Sequence, residues 1–194
     1  MKKAAFLLTA IFALTVAANA QGIAVGAVME NFSLPFAGKG SMTSLNEQKG
    51  KNGAVVIFLS AQCPVVKGYI ERINAVADEY KAKGITFIGI NSNATESAEW
   101  VARDASENFR FPVLIDKGNK IADKLGATVT PEAYYINSKN VLLYHGAIDN
   151  DRSGENITDT YLRTAFDESL AGQKVTNTRK NAFGCGIKKA AAEK

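Results

Sequence analysis

The chain has 194 residues, 46% of them hydrophobic and 22% charged, with two cysteines and one histidine. That length and apolar content suit one well-buried domain, and two cysteines are too few for a disulfide-knit scaffold. The formal net charge of +4, with no stretch that interleaves basic and aromatic residues, argues against a nucleic-acid module.

The N-terminus reads as an address. Met1-Lys2-Lys3 supplies a positive start, "AAFLLTAIFALTVAA" an apolar run, and Ala18-Asn19-Ala20 a small-x-small cleavage site before Gln21. This is the three-part pattern of a secretory signal peptide, and the run is short for a spanning helix. The expected organisation is therefore a signal peptide over 1–20, a domain over 21–172 and a basic tail over 173–194. No other segment is long enough to span a bilayer, so no stable membrane span is expected after cleavage, and the mature protein is expected in the periplasm or secreted. Losing Lys2 and Lys3 from the 23 basic residues leaves 21 against 19 acidic ones. The remaining excess is local: beyond Gly172, Lys174, Arg179, Lys180, Lys188, Lys189 and Lys194 face only Glu193.

After a mixed stretch with "FSLPF" and several glycines, "AVVIFLS" (54–60) is a continuous apolar, β-branched run, as in a strand buried on both faces. From Pro64 the spacing of Val66, Ile70, Ile73, Val76, Ala77 and Tyr80 predicts a helix, with Pro64 in its first turn and Gly84 at its stop. "ITFIGIN" (85–91) is a second buried strand. Residues 95–108 follow as a helix capped by Thr95, with Glu96 and Glu99 near its positive end. "FPVLID" (111–116) is a short strand and 119–125 a short helix ended by Gly126. "EAYYIN" (132–137) and "VLLYHGAI" (141–148) form a hairpin across "SKN", and a last helix runs from about 157 to 170. The β-α-β-α-β-α-β-β-α order predicts one mixed sheet with helices on both faces.

Cys63 falls where the first buried strand hands over to its helix, with Pro64 immediately after. Unpaired N–H groups and the positive end of the macrodipole favour a thiolate there, lowering a thiol from about 8.5 toward the range of roughly 3.5–7.5 found in reactive cysteines. Packing as a small hydrophobe is the alternative fate of such a residue. His145 has no second histidine to share a metal with, and Asp116, Asp149 and Asp151 read as turn and cap residues.

The run strand–Cys63–x–x–x–Lys67–helix, with Thr130-Pro131 before a later strand, resembles the thioredoxin fold. "CPVV", "TPEAYYIN", "HGAIDN" and "GCGIK" occur in that order, and together resemble the peroxiredoxin-like redoxin group of exported AhpC/TSA-related proteins over about residues 25–189. The resemblance implies a thiol-disulfide oxidoreductase with Cys63 as nucleophile and Pro64 opening its helix. It also implies a cis Thr130-Pro131 loop that offers backbone to a substrate by strand pairing, with Lys67 and Glu132 close to Cys63. No metal or organic cofactor is implied; a thiol or disulfide protein would act as electron donor or substrate. Three departures stand out. Val66 occupies the position of the second cysteine of Cys-x-x-Cys, Val56 stands where a true peroxiredoxin carries proline, and no arginine stands near Pro131 to polarise a peroxide.

Cys185, set between glycines in "AFGCGIKK", is the candidate replacement for the missing second thiol, resolving a mixed disulfide or a Cys63 sulfenic acid. A plain staple to Cys63, closing a loop of about 120 residues and contributing about 4–5 kcal/mol, is equally compatible with the sequence. A peroxidase, or a non-enzymatic domain holding a structural disulfide, are the alternative functions.

Overall fold

The computed structural model describes residues 22–191; the expected signal peptide lies outside the described residues. In the N-terminal extension, β1 (Ser33–Pro35) and β2 (Met42–Ser44) pair antiparallel. Ser44 then starts the single turn α1 (Leu45–Gln48), its hydroxyl accepting from the Glu47 N–H while the Glu47 carboxylate accepts from the Ser44 N–H. This reciprocal box satisfies two otherwise orphaned donors.

The central elements follow the apolar patterning closely. β3 (Gly53–Leu59) is buried along its whole length, and α2 (Pro64–Ala82) presents Val66, Tyr69, Ile73, Val76 and Tyr80 to the core. β4 (Ile85–Asn91) comes next. α3 (Ala98–Asn108) starts later than the sequence suggests, because Ser97 rather than Thr95 caps it, accepting from the Trp100 N–H at 3.2 Å. β5 (Val113–Ile115) and α4 (Lys120–Leu125) follow. Beyond them lie β6 (Val129–Thr130), β7 (Glu132–Asn137), β8 (Leu142–Gly146) and α5 (Tyr161–Leu170). Residues 157–160, expected in the last helix, instead close a loop in which Asn150 Oδ1 accepts from the N–H groups of Thr158 and Asp159.

The segment beyond Gly172 adds β9 (Arg179–Lys180) and β10 (Cys185–Gly186). Among the described residues the main sheet has six strands in the order β5-β4-β3-β7-β8-β9. β3, β4 and β5 are parallel, β7 and β8 antiparallel, and β9 parallel to β8. Strand alternation splits the core into two layers. Val55, Ile57 and Leu59 face α2 and α5, whereas Val56 and Phe58 face α1, α4 and the N-terminal extension.

β9 docks on β8 through an unusually close approach at Gly146, opposite Lys180. Gly146 has φ +136°, and a Cβ there would overlap the Lys180 carbonyl oxygen. A side chain is therefore excluded by conformation and by space. Gly146→Ala should lose about 1–3 kcal/mol in urea unfolding. By contrast Gly68→Ala, in α2 with nothing within 4 Å of the added carbon, should gain about 0.5–1 kcal/mol from helix propensity. Equal effects at the two glycines would remove the close-approach explanation.

Candidate active site

Four of the expected residues meet at the C-terminal end of β3. Cys63 is the N-cap of α2, with extended backbone (φ −75°, ψ 115°), and is 1% exposed. It is bridged to Cys185, 122 residues away, across a Cα–Cα distance of 5.8 Å. The Thr130–Pro131 bond is cis, and the Thr130 carbonyl oxygen lies 3.3 Å from Cys63 Sγ. Pro64, at the first helical position, is exposed beside them. Because proline has no N–H, Val65 and Val66 carry the first amides of α2 that point at the sulfur end. The Lys67 N–H already closes the first turn on the Cys63 carbonyl, at 3.1 Å.

Lys67 and Glu132, expected close to Cys63, belong to the two elements that meet there, α2 and β7. Lys67 is exposed one turn along α2. Glu132 is buried, at 5% exposure. Its carboxylate accepts from the N–H groups of Thr128 (2.9 Å) and Val129 (3.3 Å) and meets His145 Nε2 at 2.5 Å. Tyr134 stacks on the His145 ring, centroids 4.1 Å apart, and its hydroxyl reaches Glu132 at 3.4 Å. The single histidine thus serves to hold a carboxylate, and the carboxylate holds the amides that lead into the cis-proline turn. Burial pushes the Glu132 carboxyl upward. The His145 bond, the two amides and the His145 charge together outweigh it, leaving Glu132 below the ordinary carboxylate value.

Glu96 is a site residue that the sequence did not reveal. With Ser97 taking the cap of α3, Glu96 is free to turn back over the loop before Cys63. It accepts from the Ser60 hydroxyl (2.5 Å), the Ala61 N–H (2.8 Å), the Gln62 N–H (3.4 Å) and Asn91 Nδ2 (2.7 Å). The three residues that deliver Cys63 are therefore fixed by one carboxylate from another element. No local pattern signals this, since an acidic residue near a helix start has an ordinary explanation in the macrodipole.

Residues 25–145 match the AhpC/TSA family. The chain belongs to that family. Among curated proteins it is 29% identical over 117 residues to thiol-disulfide oxidoreductase ResA of Halalkalibacterium halodurans, a match covering 60% of this chain and 61% of that protein. The chain thus spans about three-fifths of that relative's length. A hypothetical protein of Sinorhizobium meliloti 1021 superposes with a TM-score of 0.80 at 32% identity, covering 89% of this chain and 98% of that one. The thioredoxin domain of a thiol-disulfide oxidoreductase from Bacteroides vulgatus superposes with a TM-score of 0.53 at 19% identity, over 64% of this chain and 89% of that domain. The fold is the thioredoxin fold, with a mixed sheet between helices, as the AhpC/TSA resemblance implied.

The Glu132 cluster carries a pH signature. Its folded pKa lies below the ordinary value of 4.5, so its contribution is fully present above that pH and is lost as pH falls through the folded value. In urea unfolding between about pH 7 and pH 3, the stability gap between wild type and Glu132→Gln should be widest near neutrality and close on acidification. A gap independent of pH would show that the carboxylate's charge is not what holds the turn.

Proposed function

We propose that the protein is an exported thiol-disulfide oxidoreductase in which Cys63 attacks and Cys185 resolves. The observation that carries this reading is the bridge between an N-cap cysteine at the end of the central strand and a cysteine paired to the cis-proline turn. The similarity to thiol-disulfide oxidoreductase ResA supports it.

In the reduced protein the Cys63 thiolate attacks one sulfur of a substrate disulfide. The S–S bond breaks, one substrate sulfur leaves with the electron pair and takes a proton, and a Cys63–substrate mixed disulfide forms. Cys185, as thiolate, then attacks Cys63 Sγ and expels the second substrate thiol. The substrate has gained two electrons and the protein holds the Cys63–Cys185 bridge. A dithiol partner protein reopens that bridge, so the cycle needs no metal or organic cofactor. Thr130 and Pro131, with Pro64 beside them, form the face that meets the substrate. Glu132 orders the approach to that turn, and Lys67 adds a positive charge one turn beyond the sulfur. The tail after residue 172 is part of the machinery in this scheme because it carries the resolving thiol.

Insulin-type disulfide reduction driven by a dithiol should be catalysed by the wild type and fall at least about a hundredfold in Cys63→Ser. Cys185→Ser should accumulate a mixed disulfide visible by mass. Peroxide consumption lost in Cys63→Ser, without disulfide reduction, would reassign the protein as a peroxidase. A bridge that resists mild dithiols would make it a structural staple.

Export completes the proposal, resting on the pattern of residues 1–20. The mature protein recovered from the periplasm or medium should begin at Gln21 by intact mass; recovery inside the cell with Met1 retained would overturn export.

A further inference from the structure

The edge at Thr128–Thr130 is already occupied, by the chain's own tail. β10 lies antiparallel on β6 with Cys185 opposite Thr130 and Gly186 opposite Val129. The Ile187 N–H donates to the Thr128 carbonyl at 2.9 Å, and the Thr130 hydroxyl donates to the Cys185 carbonyl at 3.5 Å.

Each tail position meets a different constraint. Phe183 packs beside Tyr69 of α2, ring centroids 6.4 Å apart. Gly184 passes so close to the turn that a Cβ would overlap the Thr130 carbonyl oxygen. At Gly186 an added Cβ would meet nothing nearer than the Thr128 carbonyl oxygen, at 4.0 Å. Ile187 is 8% exposed in the apolar layer that holds Ala127 and Tyr134. Farther on, the Lys188 N–H donates to Asn93 Oδ1 at 3.0 Å and the Ala190 N–H to Asn119 Oδ1 at 2.7 Å. Upstream, β9 is fixed on β8. None of these contacts is made through the Cys63–Cys185 bond itself.

We propose that the 128–130 edge, already expected to pair with substrate backbone, admits only one class of peptide. Its ligand class is an extended cysteine peptide with glycine immediately before the cysteine, a side chain tolerated immediately after it, and an apolar residue two places after it. The tail is its resident ligand, and a substrate protein must displace it to reach Cys63. This deepens, and rests on, the reading of Cys63 as the attacking thiolate. A tethered ligand competes at an effective concentration of about millimolar, so a substrate at micromolar levels gains access only as the tail releases. The glycine requirement is steric: the strand-pairing mode supplies affinity through the main chain, and pockets or close approaches between alternate side chains supply specificity.

The test uses the reduced full chain in the Cys185→Ser background, with and without Ile187→Ser to loosen the tail. The probe is the synthetic peptide Phe-Gly-Cys-Gly-Ile with its cysteine held as a mixed disulfide to thionitrobenzoate. The Cys63 thiolate attacks the peptide sulfur, the peptide–thionitrobenzoate bond breaks, and the aromatic thiolate leaves with the electron pair as a coloured product. Loosening the tail should raise the rate by about tenfold. In the loosened protein, alanine in place of the glycine before cysteine should slow the reaction by about tenfold, while alanine after cysteine should change it by less than about twofold. Should Ile187→Ser fail to fold, Gly184→Ala in the same background displaces the tail from the other side and gives the same comparison. Equal rates with anchored and loosened tails, or equal rates for the three peptides, overturn the proposal alone. No colour from any peptide or from the small symmetric dithiobis(nitrobenzoate) overturns the Cys63 reading, and the proposal with it.

Discussion

The geometry of the candidate site hangs on the pairing of β3 between parallel β4 and antiparallel β7. β3 is buried along its whole length and bonded along both edges, so its C-terminal end is fixed from two sides. Two segments reach that end by opposite routes. The chain leaves β3 through Ser60-Ala61-Gln62 into Cys63, and it arrives at β7 through Thr130-Pro131. The antiparallel register sets Phe58 opposite Glu132, so the cis-proline turn comes to lie beside the loop that carries Cys63. Cys63 Sγ and the Thr130 carbonyl are 67 residues apart in sequence yet 3.3 Å apart in space. Sheet register, and not any local loop preference, brings them together.

The segments that leave the sheet are held by carboxylates. Glu96 collects the donors of residues 60–62, Glu132 those of 128 and 129, and Asp116 accepts from Ile121 and Ala122 at the start of α4. A carboxylate removed from water is costly unless fully partnered, and each of these has several donors. Backbone N–H groups at strand ends and helix starts lack regular partners, and an ionised carboxylate is an acceptor-only group with room for several of them. The same pairing of supply and demand therefore recurs three times around one site. His145 and Tyr134 extend it behind Glu132, both meeting the same carboxylate oxygen.

Much of this was legible in the residues. β3 is a continuous apolar run, β4 and β7 are largely apolar runs bounded by turn signals, and α2 carries a clear helical spacing, so the layers and the position of Cys63 followed from local rules. The misplacements share a cause: competition among polar groups close in sequence. Thr95 and Ser97 are both plausible caps, and the choice between them frees Glu96, a consequence visible only once β3 and β4 are adjacent. Likewise Asn150 captures the N–H groups of Thr158 and Asp159 and delays α5 to Tyr161. β9 and β10 were illegible for another reason. "RK" and "CG" have no strand character of their own and exist as strands only because an edge is there to receive them. Nothing in the sequence distinguishes the two glycines around Cys185, whereas Gly184 is needed for the close approach to Thr130.

Docking of the tail also bears on the direction in which such a bridge does work. In the chain-entropy view, closing a loop of this length stabilises a fold by about 5 kcal/mol, and by linkage whatever the fold gives to the bridge, the bridge gives back to the fold. The contacts of Lys188 with Asn93 and of Ala190 with Asn119 lie outside the 128–130 strip, so on the proposed cycle they keep the resolving thiol near Cys63 while a substrate occupies that strip. On the proposed cycle, that favours the step in which Cys185 attacks the mixed disulfide and expels the substrate. A pair that closes readily is a donor of electrons to other disulfides, since its own oxidised form is the stabilised one. The Thr130 carbonyl beside Cys63 acts in the same sense. Its negative end faces the sulfur and opposes a thiolate there, while the α2 amides favour one. The bridged state, which carries no charge on sulfur, escapes that conflict. On the proposed cycle, both effects favour the bridged state over the reduced one, and the reduced form would give its electrons to disulfides less well held than its own.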